Sequence, residues 1–351
     1  MSLKIKFLPA GGGDSIFIEH KFNGAKIHIL LDGGSLKTYR GGIKPILKGF
    51  SETDKLDLVI VTHLHNDHTG GIKGMLEDEN FDISLIKEFW MNNSDKILLS
   101  PNENKDYMGR KQYLNIQDKL GKHNIKPKTI IAGHHYTIGD LTIDVISPSQ
   151  EQQDIVADEI YKWERGAGYS SNKKSRDHNK KIDDFDLSAF EPANFKEDNS
   201  IWNKSSIAFL LSYKEIKFLF TADAVPSQLI SGLQTLLERA DAKIDLELLK
   251  VSHHASQHNT SNEFLKMINT NKFIICTNGI LQELPDKKTI AGIVKSPYRE
   301  GIEKKKIDIF FTEDTKYLRK ILDVDPESVQ DDHNFKLHFP ENGEVICFEY
   351  D

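Results

Sequence analysis

Two cysteines in 351 residues leave no scope for a disulfide framework. Cys276 and Cys347 sit in apolar segments far apart in sequence, and they read as free thiols in a reducing compartment. Long apolar runs are scarce too. The most apolar stretch, residues 207–220, is interrupted by Lys214, Glu215 and Lys217, so nothing reads as a membrane span. The first ten residues have no apolar core of a secretory leader, and cytoplasm is the expected location. There is no excess of positive charge: 46 Lys and Arg against 53 Asp and Glu give a formal charge of −7. That is the wrong sign for a protein that wraps duplex nucleic acid by bulk electrostatics. What remains is a soluble, globular balance of 38% hydrophobic and 28% charged residues, on a chain long enough to bury a sizeable core.

The first hundred residues alternate short strands with turns. Residues 3–8, 15–19 and 26–31 are β-branched and aromatic runs, separated by Gly11-Gly12-Gly13-Asp14 and by the hairpin signal Asn23-Gly24. Residues 56–61 form a nearly continuous apolar run, which suits a strand buried on both faces. Helices are expected over 69–79, 107–120 and 151–165, and strands over 129–131 and 141–146. Between about 150 and 200 the composition turns polar and charge-mixed, as in an inserted surface loop. Strands over 206–213 and 216–221 flank Lys214-Glu215. Further strands follow at 244–251, 273–276 and 307–311, with helices at 226–239, 261–268 and 286–299. The final runs, 335–339 and 345–350, read as a strand pair around Glu341-Asn342-Gly343. The economical packing is an α+β, four-layer αββα sandwich, two mixed sheets with helices outside. It is expected as one domain over residues 1–351, with a polar insert at 150–200 and a C-terminal strand pair within 316–351.

The sharpest signal is His63-Leu64-His65-Asn66-Asp67-His68. A lone histidine on an apolar face is normally a satisfied core residue. Three imidazoles and a carboxylate within six residues, at the end of a buried strand, are metal-ligand chemistry, and the spacing suits two cations better than one. Two other strand ends supply candidates: Phe220-Thr221-Ala222-Asp223 and Lys250-Val251-Ser252-His253-His254. Asp32, after Leu30-Leu31, is a strand-end carboxylate placed to brace a ligating histidine.

On these residues the chain resembles the metallo-β-lactamase-fold hydrolases. His63, His65, Asp67 and His68 match that family's H-x-H-x-D-H motif, Asp223 its bridging carboxylate, and His253-His254 the position of its last ligand. More narrowly it resembles the hydrolase domain of competence-channel (ComEC-type) proteins. The matching pieces are Gly13-Asp14-Ser15, Leu31-Asp32-Gly33-Gly34, Thr62-His63, Asn203-Lys204-Ser205-Ser206, Thr221-Ala222-Asp223 and Lys250-Val251-Ser252-His253-His254-Ala255-Ser256. The resemblance spans roughly residues 1–315. It implies an αββα sandwich and a dinuclear centre of two divalent ions, zinc or manganese. The implied ligands are His63, His65, Asp67, His68, Asp223 and His253, with Asp67 and His254 as catalytic groups. Asp32, Asn203, Ser205 and Ser256 would stand behind the ligands or meet substrate.

One departure from the pattern matters. Most of this fold has a histidine about twenty residues before the bridging Asp; here that stretch reads Ile201-Trp202-Asn203-Lys204-Ser205-Ser206. Asn203, a water, or one of His134, His135 and His178 would have to stand in. An amide oxygen is a harder ligand than imidazole, which brings manganese forward. The expected chemistry is hydrolysis by a hydroxide bridging the ions, most naturally of phosphodiesters, as in a nuclease or phosphodiesterase. The alternatives are hydrolysis of a small ester, lactone or thioester, and a regulatory or scaffolding role in a multiprotein defence or uptake system with a degenerate metal site. Ser256, Asn259, Thr260 and Ser261 offer either a phosphate cradle or a helix cap. Lys173, Lys174, Arg176, Lys180 and Lys181 could meet single-stranded nucleic acid, but Asp177, Asp183 and Asp184 interleave with them as in a solvated loop. A protein partner and a small-molecule substrate are both compatible with these features; a membrane is not.

Overall fold

A computed structural model describes residues 1–94, 109–164, 185–191, 194–238, 243–280, 283–298, 305–341 and 343–351. The basic residues of the insert, with His178, lie outside them. The strands in chain order are β1 (Ser2–Phe7), β2 (Ile16–Phe22), β3 (Ala25–Leu31), β4 (Leu58–Val61), β5 (Phe89–Met91), β6 (His135–Ile138), β7 (Leu141–Ser147) and β8 (Ala208–Tyr213). Then come β9 (Ile216–Phe220), β10 (Ile244–Asp245), β11 (Leu248–Lys250), β12 (Ile268–Asn269), β13 (Lys272–Ile275), β14 (Ile307–Phe311), β15 (Phe335–His338) and β16 (Ile346–Tyr350).

Fourteen of them make two mixed sheets, and β10 and β12 pair in a small third one. The first runs β16-β1-β2-β3-β4-β5 and turns from antiparallel to parallel at β3–β4. The second runs β15-β14-β13-β11-β9-β8-β7-β6, parallel up to β9 and antiparallel beyond. The two-residue pleat assigns each side chain to a layer. In β9, Phe218 and Phe220 enter the core between the sheets while Leu219 faces the outer core. In β4, Leu58 and Ile60 point between the sheets, and Val59 and Val61 point outward. Each fully buried Phe contributes on the order of 2 kcal/mol to that inner layer. Helices Asn66–Glu77, Arg110–Lys122 and Gln150–Glu164 cover the first sheet through Ile72, Met75, Ile116, Val156 and Ile160. Helices Pro226–Leu237 and Lys287–Val294 cover the second through Leu229, Leu233, Ile290 and Val294. The result is the α/β/β/α stack expected from the sequence.

Several expectations need correction. Residues 129–131 form no strand; only Lys128 makes an isolated bridge, to Trp90. The run 244–251 is two strands in different sheets, because β10 pairs with β12 while β11 joins the large sheet. The last two strands do not pair with each other. β15 lies parallel to β14 in the second sheet and β16 antiparallel to β1 in the first. Phe335 is fully buried in the second sheet's outer core, a stronger demand than a local hairpin. Among the described residues no helix is long and apolar enough to cross a membrane.

Candidate metal centre

β4 delivers the histidine motif into a prepared corner. Asp32, just past the parallel neighbour β3, donates its N–H to Ile60 O (2.8 Å) and accepts from Thr62 N–H (2.8 Å) and the Thr62 hydroxyl (2.6 Å). His65 then takes the N-cap position of helix Asn66–Glu77, so Asp67 and His68 ride on its first turn. Two close backbone approaches hold this turn in place. A Cβ on Gly13 would stand 1.7 Å from Asp67 O, and one on Gly71 would stand 1.9 Å from Gly33 O. Only glycine fits at either point.

The second sheet brings the remaining groups. Parallel pairing of β9 with β11, with Phe220 opposite Lys250, puts Asp223 and His253-His254 at neighbouring strand ends. The ends are pinned together: the Thr221 hydroxyl donates to Lys250 O, and the Ser252 hydroxyl donates to Ala224 O (both 2.5 Å). Backbone φ is positive at Ala222 (47°), His253 (46°), His254 (53°) and Ala255 (65°). Left-handed conformations at four non-glycine residues cost roughly 1 kcal/mol each and persist only where the surroundings enforce them. Ala222 and Ala255 therefore carry strain that glycine would not.

The hydrogen bonds set the imidazole tautomers. His68 donates Nδ1–H to Asp32 (2.7 Å), His254 donates Nδ1–H to Cys276 O (2.7 Å), and His253 donates Nδ1–H to Asn259 Oδ1 (2.9 Å). His63 Nδ1 lies 3.3 Å from the Thr62 hydroxyl. In His68, His253 and His254 this turns Nε2 inward, and the Nε2 atoms of all four rings face Asp223. His68 and His254 stand 3.5 and 3.6 Å from its Oδ1; His63 and His253 each stand 3.6 Å from its Oδ2. His254 Nε2 is also 3.7 Å from Asp67 Oδ2, and His65 Nδ1 is 3.0 Å from His63 Nε2.

Lone pair facing carboxylate at 3.5–3.7 Å is neither a hydrogen bond nor a resting arrangement. Two donors about 2.1 Å from a shared cation, at a tetrahedral angle, lie about 3.4 Å apart. His68 Nε2, His254 Nε2 and both carboxylate oxygens of Asp223 are buried with no hydrogen-bond partner. His63, His68 and Asp223 form one group of converging donors, and Asp67, His68 and His254 another. The donor set thus fits a divalent metal centre.

Charge is balanced within the cluster. Burial opposes ionisation of Asp223, but His253, His254 and His68 outweigh it and hold its pKa well below the usual carboxylate range. Burial likewise opposes charging of His68 and His253; for His68, Asp223 and Asp32 overcome it, and for His253, Asp223 and Asp198 do, so both pKa values rise. Burial leads at His63, His65 and His254 and lowers all three. Beneath them Lys250, fully buried, pairs with Asp14, donates to Ala222 O (2.8 Å) and lies 4.0 Å from Asp223 Oδ1. Asp14 Oδ1 is in turn 3.5 Å from His254 Nδ1. The motif-level reading quoted Asp14 and Lys250 without giving them a role. A lysine inside an apolar strand was the available signal.

The other candidates fall in different places. Asn203 is buried beside His253; its amide nitrogen donates to Asp198 (2.6 Å) and its carbonyl oxygen has no hydrogen-bond partner. The Ser205 hydroxyl turns away to Trp202 O (2.8 Å), and Ser256 is buried in the turn closing the histidine pair, its N–H on His253 O (2.8 Å). Ser261 caps the short helix Asn262–Lys266 through Phe264 N–H (3.2 Å), and Asn259 is spent on His253 and Asp223 O. His134 and His135 lie by the edge strand β6, next to Tyr136 and Asp144, and do not join the cluster. His254, expected as a catalytic group, sits deep in the cluster. Its side chain is fully buried with Nε2 between Asp67 and Asp223. Asp198, beside His253, carried no motif and was missed.

Residues 8–145 match the family model described as the metallo-beta-lactamase superfamily. No curated protein matches the chain. Among solved structures, the metallo-beta-lactamase fold protein YhfI from Bacillus subtilis aligns at 11% identity over 99% of this chain and 100% of that one, with a TM-score of 0.43. A diphosphatase from the PhnP family aligns at 9% identity over 99% and 98% with a TM-score of 0.39, and a putative metal-dependent hydrolase from Parabacteroides distasonis at 10% over 95% and 92% with 0.36. The family match, read with the two-sheet architecture, gives the chain the metallo-β-lactamase fold.

Proposed function

We propose that this metallo-β-lactamase-fold chain is a hydrolase working with two divalent ions, and that its substrates are phosphodiesters. The observation that carries the reading is the buried Asp223 carboxylate, with two unpartnered oxygens and four imidazole Nε2 atoms aimed at it. His63, His65 and Asp223 would hold one ion; Asp67, His68, His254 and Asp223 would hold the other. When bound, such ions lower the pKa of a water from about 16 toward about 7 and neutralise charge on a phosphoryl oxygen.

The chain's own residues prepare for that chemistry. Asp32 and Cys276 O fix the rings of His68 and His254 with Nδ1–H outward, so that Nε2 is the nitrogen offered to an ion. Asp67 is the more open carboxylate, with its side chain 19% exposed against 1% for Asp223. It stands at the mouth, where it can orient an attacking water and take its proton. Asp14, Asp32 and Asp198 are each matched by a cationic or donor neighbour. Two divalent ions held there would favour an anionic ester over a neutral one. With a formal charge of −7 over the chain, a small or single-stranded phosphodiester suits it better than a duplex.

The test is turnover of bis-p-nitrophenyl phosphate, single-stranded DNA and a lactone panel by purified protein supplied with manganese or zinc. Phosphodiester cleavage that is lost in Asp67→Ala and His68→Ala is the expected result. Turnover of lactones alone, or full phosphodiesterase activity in both variants, overturns the reading.

A further inference from the structure

The His253-His254 pair is shared out between the two halves of the centre. The geometry points to His253 as the ligand that takes the place of the histidine missing near Asn203, and to Asp198 as the residue that positions it. This inference rests on the dinuclear reading above.

The backbone explains how adjacent residues reach separate points. Successive left-handed conformations at His253, His254 and Ala255 make a tight turn, tied by His253 N–H to Ala222 O (2.9 Å) and by Ser256 N–H to His253 O (2.8 Å). One ring is thereby sent to each oxygen of Asp223. His254 Nε2 is 3.6 Å from Oδ1, on the side of Asp67 and His68. His253 Nε2 is 3.6 Å from Oδ2, the oxygen that His63 Nε2 also approaches at 3.6 Å. The half of the centre that lacks a third imidazole in sequence therefore receives one from the far sheet.

The surroundings of His253 are those of a ligand. Its Nδ1 faces two acceptors, Asn259 Oδ1 at 2.9 Å and Asp198 Oδ2 at 3.5 Å, which fix the proton on the outer nitrogen and the lone pair inward. Asp198 is itself oriented by Ser200 N–H (2.9 Å) and by the Asn203 amide (2.6 Å). Asn203 thus spends its amide on bracing Asp198. In this arrangement the residue standing at the expected histidine position supports the replacement ligand.

The test is metal content after equilibrium dialysis against manganese, paired with electron paramagnetic resonance, which separates a spin-coupled pair of manganese ions from an isolated one. Wild type should hold two ions with a coupled spectrum. His253→Ala and His253→Gln should hold one with an isolated-ion spectrum, and circular dichroism should report both folded. Asp198→Asn should weaken one ion by about 10–100-fold, and Asn203→Ala, which removes only one donor to Asp198, should weaken it less. Two ions with unchanged affinity in both His253 variants, or loss of an ion in Asn203→Ala with none lost in His253→Gln, overturns the inference while leaving the dinuclear reading intact. A wild-type protein that binds no ion overturns the dinuclear reading itself.

Discussion

Replacing Asp32 by Asn asks how far a carboxylate that ligates nothing controls the centre. Asp32 Oδ1 accepts from Thr62 N–H, while Oδ2 accepts from the Thr62 hydroxyl and from His68 Nδ1–H, all at 2.6–2.8 Å and all buried. Asparagine offers one acceptor oxygen and one NH2. With its oxygen toward Thr62 N–H, the NH2 confronts His68 Nδ1–H, and the ring relieves the clash by moving its proton to Nε2. That closes the lone pair facing Asp223 Oδ1. With the amide reversed, the NH2 confronts Thr62 N–H, and an unsatisfied buried pair costs about 1–3 kcal/mol. One of two losses must follow. Either an ion is bound about 10–100-fold more weakly, which is about 1.4–2.8 kcal/mol, or the fold loses a comparable amount. Chelator competition reads the first and urea unfolding reads the second. A variant with metal affinity within twofold of wild type and an unchanged unfolding midpoint would refute the tautomer argument.

Further outcomes follow from the same geometry. Asp223→Ala should release both ions together, since each rests on one of its oxygens; metal analysis showing one ion retained at wild-type affinity would contradict a shared bridge. Gly13→Ala drives a methyl into Asp67 O, so the folded fraction should bind one ion poorly, as a calorimetric titration would register. Gly232→Ala meets Ile146 O at 1.9 Å, away from the centre; its unfolding midpoint should fall with metal stoichiometry unchanged. Ion uptake should release protons from His68 and His253, whose pKa values are raised, and not from His63, His65 or His254, whose values are lowered. Because protonation blocks Nε2, affinity should fall as pH falls, starting above pH 6.5, the ordinary histidine value. Titrations in buffers of different ionisation enthalpy count those protons.

The motif at residues 63–68 was legible because short sequence spacing forces those side chains into one volume whatever the rest of the chain does. Strand periodicity was legible for the same local reason, and it placed β1 to β4 and β7 to β9 within a residue or two at most ends. What escaped was decided at a distance. Glu341-Asn342-Gly343 has hairpin chemistry, yet Phe335 and Ile346 find their partners in opposite sheets. Residues 244–251 look like one strand, but Leu246-Glu247 carries the chain from the small sheet to the large one. The division of labour between His253 and His254 depends on positive φ at both residues, which side-chain type alone does not announce. Asp198 became visible only because folding brings it against His253 from 55 positions upstream.

The pairing of β1 with β16 sets Leu3 opposite Tyr350, so the first and last strands lie side by side. From there β1 runs toward the loop that carries Asp14, which puts the joined ends at the strand terminus remote from the ions. A short peptide bridge across that gap would yield a circularised backbone, free to be reopened at a surface turn such as Asn23-Gly24. Fluorophores attached at the same two points would report opening of the outermost strand without disturbing the chemistry at the other end of the sheet.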